Sequence, residues 1–167
     1  MEAGKSNVVL ECSLDGPVPH VPKVDLLLAL PRPKVMKRLW PQLAAIGVGR
    51  VVVTNAAKVE RNYFDTQWLE RAHYDPLLIE GLMQSADTLL PKVTICRRLK
   101  VFIEDEADDL FQGCSRFVLH PGGDPAMKVL KAGTGGRMLI AVGPEGGWTD
   151  YELDLFRAHG FACAGMG

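Results

Sequence analysis

The stretch Leu139-Ile-Ala-Val-Gly-Pro-Glu-Gly-Gly-Trp-Thr-Asp-Tyr-Glu152 constrains this chain more than any other. Four apolar residues make a short buried-strand run, and Gly143-Pro144-Glu145-Gly146-Gly147 stops it abruptly. Helix signals follow at once. Thr149 is placed as an N-cap, Glu152 three residues on completes a capping box, and Trp148 and Leu153 stand at the spacing of a hydrophobic staple. Asp150 puts negative charge in the first turn, where the helix dipole favours it. The pattern predicts strand, glycine-rich turn and helix, with backbone N–H groups exposed where open α/β sheets bind ligands. It does not spell a phosphate-binding P-loop, because no Gly-Lys-Ser/Thr follows, and the glycines have the wrong spacing for G-x-G-x-x-G. On these residues alone, a tight turn that binds nothing and a ligand loop are both open.

The rest of the chain alternates strand and helix patterns. Val24–Leu30 is an apolar run interrupted only by Asp25, as in a strand covered on both faces. A helix then runs to about Ile46, with Val35, Leu39, Leu43 and Ile46 as a core-facing stripe and Pro41 marking a kink or restart. Arg50–Thr54 is β-branched and reads as a strand. From Asp65 to Ala86 the pattern is helical, and Pro76 predicts two helices rather than one. A strand over Pro91–Cys96 precedes an amphipathic helix over Leu99–Phe111, and Phe117–Leu119 is a strand ending at His120-Pro121-Gly122-Gly123. A short helix at Pro125–Leu130, the strand Met138–Val142, a helix over Asp150–His159 and a last strand Phe161–Ala164 complete the chain. This order predicts an α/β fold with a mainly parallel sheet and helices on both faces. Three glycine-bearing turns after three apolar strands place a ligand site at the ends near Leu119, Val142 and Ala164.

At 167 residues, the chain suits a single domain. Net charge is −1, so the whole chain does not announce a polyanion binder, but Arg32, Lys34, Lys37 and Arg38 cluster on one segment. Such a segment can neutralise phosphates locally; a solvated helix face is the other reading. Cys12, Cys96, Cys114 and Cys163 are scattered and do not meet the histidines at ligand spacing, so neither a zinc site nor a disulfide framework is expected. Reduced thiols point to an intracellular compartment. There is no apolar run near the roughly 20 residues that would span a bilayer.

The GPEGG run followed by Trp148, Thr149 and Glu152 resembles the second cofactor loop of the RsmE family, small-subunit (16S) rRNA uridine-N3 methyltransferases of the SPOUT, or α/β-knot, superfamily. Three further stretches agree: Leu26–Pro31 with its basic helix to Ile46-Gly47-Val48, Met83-Gln84-Ser85-Ala86 where the family has "EQSGR", and Leu119-His120-Pro121 as the first cofactor-side loop. The resemblance covers roughly residues 20–167 and implies residues 1–22 as the remnant of an N-terminal RNA-binding barrel and linker, and 23–167 as the methyltransferase domain. It implies S-adenosylmethionine as cofactor, held by Leu119, His120, Gly143, Pro144, Glu145, Gly146, Gly147, Met166 and Gly167, with no metal. Glu145 is the candidate proton acceptor, with capping of turn N–H groups as its alternative role, and His120 is either a ligand or a structural histidine.

Ribosomal RNA or the small subunit is the implied partner, met by Arg32, Lys34, Lys37, Arg38 and Gln84, and a homodimer is implied through the last helix, where Leu153, Phe156, Leu155 and Tyr151 offer apolar surface. The compartment would be the cytoplasm or an organelle. In the motif the family's glycine and arginine are replaced by Ala86 and Asp87, which weakens phosphate contact. The family continues past Met166-Gly167 with "RILR-x-ETA", so this stretch of chain, with an incomplete knot, is expected to have little activity by itself. The alternative is an inactive divergent knot domain that binds RNA or a protein partner.

Overall fold

The computed structural model describes residue 11, residues 22–125 and residues 136–165. Its elements are β1 (Val24–Ala29), α1 (Pro33–Ala45), β2 (Arg50–Thr54), two 3-10 turns (Arg61–Asp65 and Gln67–Leu69), α2 (Arg71–Ser85) and β3 (Lys92–Cys96). There follows a helical segment, α3, built from an α turn Leu99–Val101, a π turn Phe102–Glu106 and an α turn Ala107–Leu110. Then come β4 (Ser115–Pro125), β5 (Met138–Val142), α4 (Asp150–Ala158) and β6 (Ala162–Gly165).

The six strands form one sheet in the order β3-β2-β1-β5-β4-β6, and every pairing is parallel. Alternation along the strands sends Leu27, Ala29, Val52, Leu139 and Ala141 to one face, where they pack with α3 and α4. Leu28, Leu30, Val51 and Val53 go to the other, under α1 and α2. Both faces are covered, which is why the strands read as unbroken apolar runs. Asp25 is the exception and is explained: it is 1% exposed and takes a hydrogen bond from Arg137, just before β5, at 2.8 Å. The pair fastens the N-terminal ends of the two central strands.

Several local expectations are corrected. In α1 the buried stripe is Met36, Trp40, Leu43 and Ala44, whereas Ile46 is exposed. The shift follows Trp40, whose indole is buried and donates from Nε1 to the Trp68 carbonyl at 2.8 Å. Helix α2 runs unbroken through Pro76, which lies in its second turn and removes one backbone bond, to the Ala72 carbonyl. Strand β4 does not stop at Leu119. Both Leu119 and Asp124 pair with Ala164, so residues 120–123 form an excursion that returns to β6. Leu155, expected as spare apolar surface on α4, is 9% exposed and packed into the core; of the four residues expected there only Tyr151, at 60%, is exposed. Apart from residues 11 and 22, the segment 1–22 lies outside the described residues, as do Met166, Gly167 and residues 126–130 of the expected Pro125–Leu130 helix, whose first residue belongs to β4.

Two backbone details generate measurable consequences. A Cβ on Gly81 would stand 2.0 Å from the Pro41 carbonyl oxygen, so α1 and α2 touch backbone to backbone there. Ala86, which ends α2, has φ 54 and ψ 35, and its N–H and that of Asp87 both bond to the Leu82 carbonyl. Gly81→Ala should therefore lower stability by about 1–3 kcal/mol through overpacking, while Ala86→Gly should raise it by about 1 kcal/mol by relieving the left-handed conformation. Urea unfolding of the two variants beside the parent protein measures both.

Candidate functional site

The C-terminal ends of β5 and β6 flank the Leu119–Pro121 part of β4 and open with it into a cavity of about 490 Å3, within the range of small-molecule sites. Its walls are Leu119, His120 and Pro121 from β4, the run from Val142 to Trp148 after β5, and Ala164 from β6. Lys58, from the loop after β2, closes one side. The structure thus gathers Leu119, His120, Gly143, Pro144, Glu145, Gly146 and Gly147 around one space.

The turn after β5 is set by its glycines and by the helix that follows. Gly147 has φ +69, a region that favours glycine, and its N–H donates to the Pro144 carbonyl at 2.8 Å. Gly143 lies against the Trp148 indole, where a Cβ would come 3.1 Å from Nε1. Trp148 is 4% exposed, stacks edge-to-face on Phe156, and its Nε1 has no hydrogen-bond partner among the described residues. The capping box is formed: Thr149 Oγ1 accepts from the Glu152 N–H at 3.3 Å, and Glu152 Oε2 accepts from the Thr149 N–H at 2.8 Å. The other oxygen of this buried carboxylate accepts from the Ala57 N–H at 2.7 Å. Beside it, Lys58 donates from Nζ to the Gly146 carbonyl at 2.7 Å, with its stem along Gly146. The β2 loop is thereby held against the glycine turn at two points.

His120 has a defined place in its excursion. Its Nδ1 accepts from the Gly122 N–H at 3.0 Å, so the neutral ring carries its proton on Nε2 and keeps that donor for a ligand. The excursion closes by a tight approach, because a Cβ on Gly123 would stand 2.6 Å from the Ala164 carbonyl carbon. Glu145 makes a long 3.5 Å contact with the Arg32 N–H, across the β1–β5 boundary. Arg32 thus lies next to a cavity residue but does not itself line the cavity. Lys34, Lys37 and Arg38 are exposed on α1, with Lys37 4.6 Å above the Trp68 ring, and Gln84 is exposed on α2 and does not line the cavity. Asp87 has a local role: its carboxylate accepts from the Thr88 and Leu89 N–H groups at 2.6 and 3.1 Å. Among the described residues no three His, Cys, Asp or Glu side chains are grouped to hold a metal, and no helix is long and apolar enough to cross a membrane.

Sequence reasoning missed Lys58 and the indole donor of Trp148. The signal for Lys58 is topological: in a parallel sheet, the loop after every strand opens on the ligand edge, so the residues after Thr54 were candidates as much as those after Val142.

This geometry defines a class: an α/β domain whose parallel strands end, at one edge, around a cavity of small-molecule size against a glycine-rich turn. The chain belongs to the RNA methyltransferase domain family, whose model matches residues 19–167. It is 27% identical over 145 residues to the ribosomal RNA small subunit methyltransferase E of Treponema pallidum, covering 86% of this chain and 54% of that protein. The methyltransferase E 1 of Borreliella burgdorferi is 27% identical over 140 residues, 84% of this chain and 57% of the relative. The chain thus spans little more than half the length of these relatives. The fold is shared with a ribosomal RNA small subunit methyltransferase E from Neisseria gonorrhoeae, solved bound to S-adenosyl methionine, with a TM-score of 0.71 at 16% identity over 87% of this chain and 58% of that one.

The Glu152 carboxylate gives the site its testable weakness. Glu152→Ala leaves the Ala57 and Thr149 N–H groups without their partner, at about 1–3 kcal/mol each. A loss of about 2–5 kcal/mol in unfolding free energy is expected, together with faster amide exchange at Ala57 and Thr149, read by NMR.

Proposed function

We propose that this chain is the catalytic domain of an S-adenosylmethionine-dependent rRNA methyltransferase, acting on uridine N3 of small-subunit rRNA and serving ribosome maturation. The observation that carries the reading is the placement of the GPEGG turn, the Leu119-His120 part of β4 and the end of β6 around one cavity. The residues fit the ligand. Glycines leave the turn side open, Trp148 Nε1 is a buried donor without a partner among the described residues, and Leu119 and Val142 supply apolar wall. Bound there, S-adenosylmethionine supplies an activated methyl group on a sulfonium.

The chain's own contribution is to hold and orient. Backbone groups of Gly143–Gly147 read the ligand, the Lys58 bond to Gly146 fixes the turn, and His120 offers its Nε2 proton. Uridine N3 carries a weakly acidic proton, and Glu145 at the cavity edge is the candidate to draw it off. Alignment of nitrogen, methyl carbon and sulfur accounts for several kcal/mol of the barrier in such transfers. RNA is met by Arg32, Lys34, Lys37 and Arg38, with Gln84 assigned by resemblance alone. A homodimer and an intracellular, cytoplasmic setting are part of the same reading; light scattering of the purified chain gives its mass directly.

Two outcomes test the proposal. Labelled methyl from S-adenosylmethionine should appear as 3-methyluridine in unmodified small-subunit rRNA, read by mass spectrometry, at the low level expected of this stretch of chain by itself. A valine at position 146 would thrust into the Lys58 stem, where even a Cβ stands 3.0 Å from Cδ. Gly146→Val should therefore weaken S-adenosylmethionine binding tenfold or more, about 1.4 kcal/mol, with the far-UV circular dichroism unchanged. Undiminished binding by that variant would show that the turn binds nothing.

A further inference from the structure

A second cleft opens at the same edge of the sheet, beyond Lys58. It measures about 270 Å3 and is lined by Asn55, Val59, Glu60, Arg61, Phe64 and Arg97. The segment Lys58–Arg61 is the wall between the two spaces, Lys58 facing the first and Val59, Glu60 and Arg61 the second. The cleft sits at the C-terminal ends of β2 and β3, as the large cavity sits at those of β5, β4 and β6.

Its chemistry is that of a single-stranded nucleic-acid seat. The Arg97 guanidinium lies 5.3 Å over the Phe64 ring and donates to the Phe64 carbonyl at 3.1 Å, which fixes it as a flat cationic platform. Bases stack on such guanidinium planes. Lys58, Arg61, Arg97 and Arg98 are all exposed, and none is in an ion pair among the described residues. Glu60 is the carboxylate in the cleft, and its Oε1 accepts from the Tyr63 hydroxyl at 3.3 Å. The adjoining hollow on the far side is lined by Asp65 and Glu70 as well as Arg97, so a phosphate backbone is repelled there. The open direction is toward Lys58 and the large cavity.

We propose that this cleft seats a nucleotide flanking the target in the RNA substrate, its base on the Arg97 plane and its phosphate at Arg61. The strand then continues past Lys58 to the cavity and on to Arg32 and Lys34. This deepens the methyltransferase reading and rests on it. It also accounts for the unpaired cations that lie away from the α1 basic cluster.

The test uses a fluorescein-labelled single-stranded RNA decamer with a central uridine, and S-adenosylhomocysteine as the small ligand. Arg61→Ala should raise the RNA Kd about 5- to 10-fold and lower the slope of log Kd against log salt by about 0.7, one single-strand phosphate. Arg97→Lys keeps the charge and loses the plane, so the Kd should rise while the slope stays as in the parent. Both variants should keep the parent's thermal midpoint and S-adenosylhomocysteine affinity. Arg157→Ala, an exposed cation on α4, is the control and should leave RNA binding unchanged. Parent-like RNA affinity and slope in Arg61→Ala, or equal losses in Arg157→Ala, overturn the proposal. A parent that binds RNA but not S-adenosylhomocysteine removes the methyltransferase reading and leaves the cleft judged by the same slopes; a parent that binds no RNA overturns both.

Discussion

The structure's functional edge depends on one buried carboxylate. Glu152 is 5% exposed and accepts from the Thr149 N–H, the Thr149 hydroxyl and the Ala57 N–H. A capping box is ordinarily a local device that satisfies orphan donors at one helix start. Here the same carboxylate crosses to the loop after β2, far away in sequence, and fixes that loop against the turn after β5. Lys58 reaches Gly146 from the adjacent residue, so the cavity wall and the cleft wall are positioned together. Without this tie two exposed loops would meet only by side-chain contact.

The sheet supplies the frame on which that tie acts. Parallel strands covered on both faces leave only their ends for chemistry, and the glycines appear where backbones must touch. Gly81 admits the Pro41 carbonyl between α1 and α2, and Gly123 admits Ala164 between the β4 excursion and β6. In α3 the core positions Leu99, Phe102, Ile103, Ala107 and Phe111 stay buried because the π turn Phe102–Glu106 resets the register, leaving the five acidic residues exposed.

Most of the strands, and the turn with its capping box, were legible in the sequence because they depend on local patterns: apolar runs, β-branched residues, Thr149 three before Glu152. The errors came where distant partners decide. Trp40 shifted the α1 stripe by taking its partner from Trp68. Pro76 did not divide α2, because one lost bond is tolerable in a helix packed on its neighbour. The return of β4 to Ala164 depends on two glycines meeting across strands, which no local pattern shows. At the site, the glycine turn was legible and Lys58 was not, since its role is set by which loops a parallel sheet brings together. Met166 and Gly167 lie outside the described residues, so the expectation placed on them is neither met nor corrected.

The order of strands also separates two kinds of surface. Counting outward from β1, the chain lays β2 and β3 on one side, and their ends carry Lys58, Arg61, Arg97 and Arg98. On the other side, residues of β5, β4 and β6 and the turn after β5 enclose a cavity of largely glycine, proline and apolar walls, to which His120, Glu145, Trp148 and, from the β2 side, Lys58 also contribute. A polymer with a charged backbone suits the first half, and a compact ligand suits the second. They meet at the boundary of β1 and β5, where the direction of winding changes and where doubly wound sheets place ligands. Across that boundary the Arg32 backbone N–H makes its 3.5 Å contact with the Glu145 carboxylate. In the proposed reaction, a group from the small ligand would meet a base of the polymer near this seam, where the two halves adjoin. For the proposed proton acceptor, Glu145 lines the cavity, whereas the exposed acidic residues of α3 lie on an outer helical face.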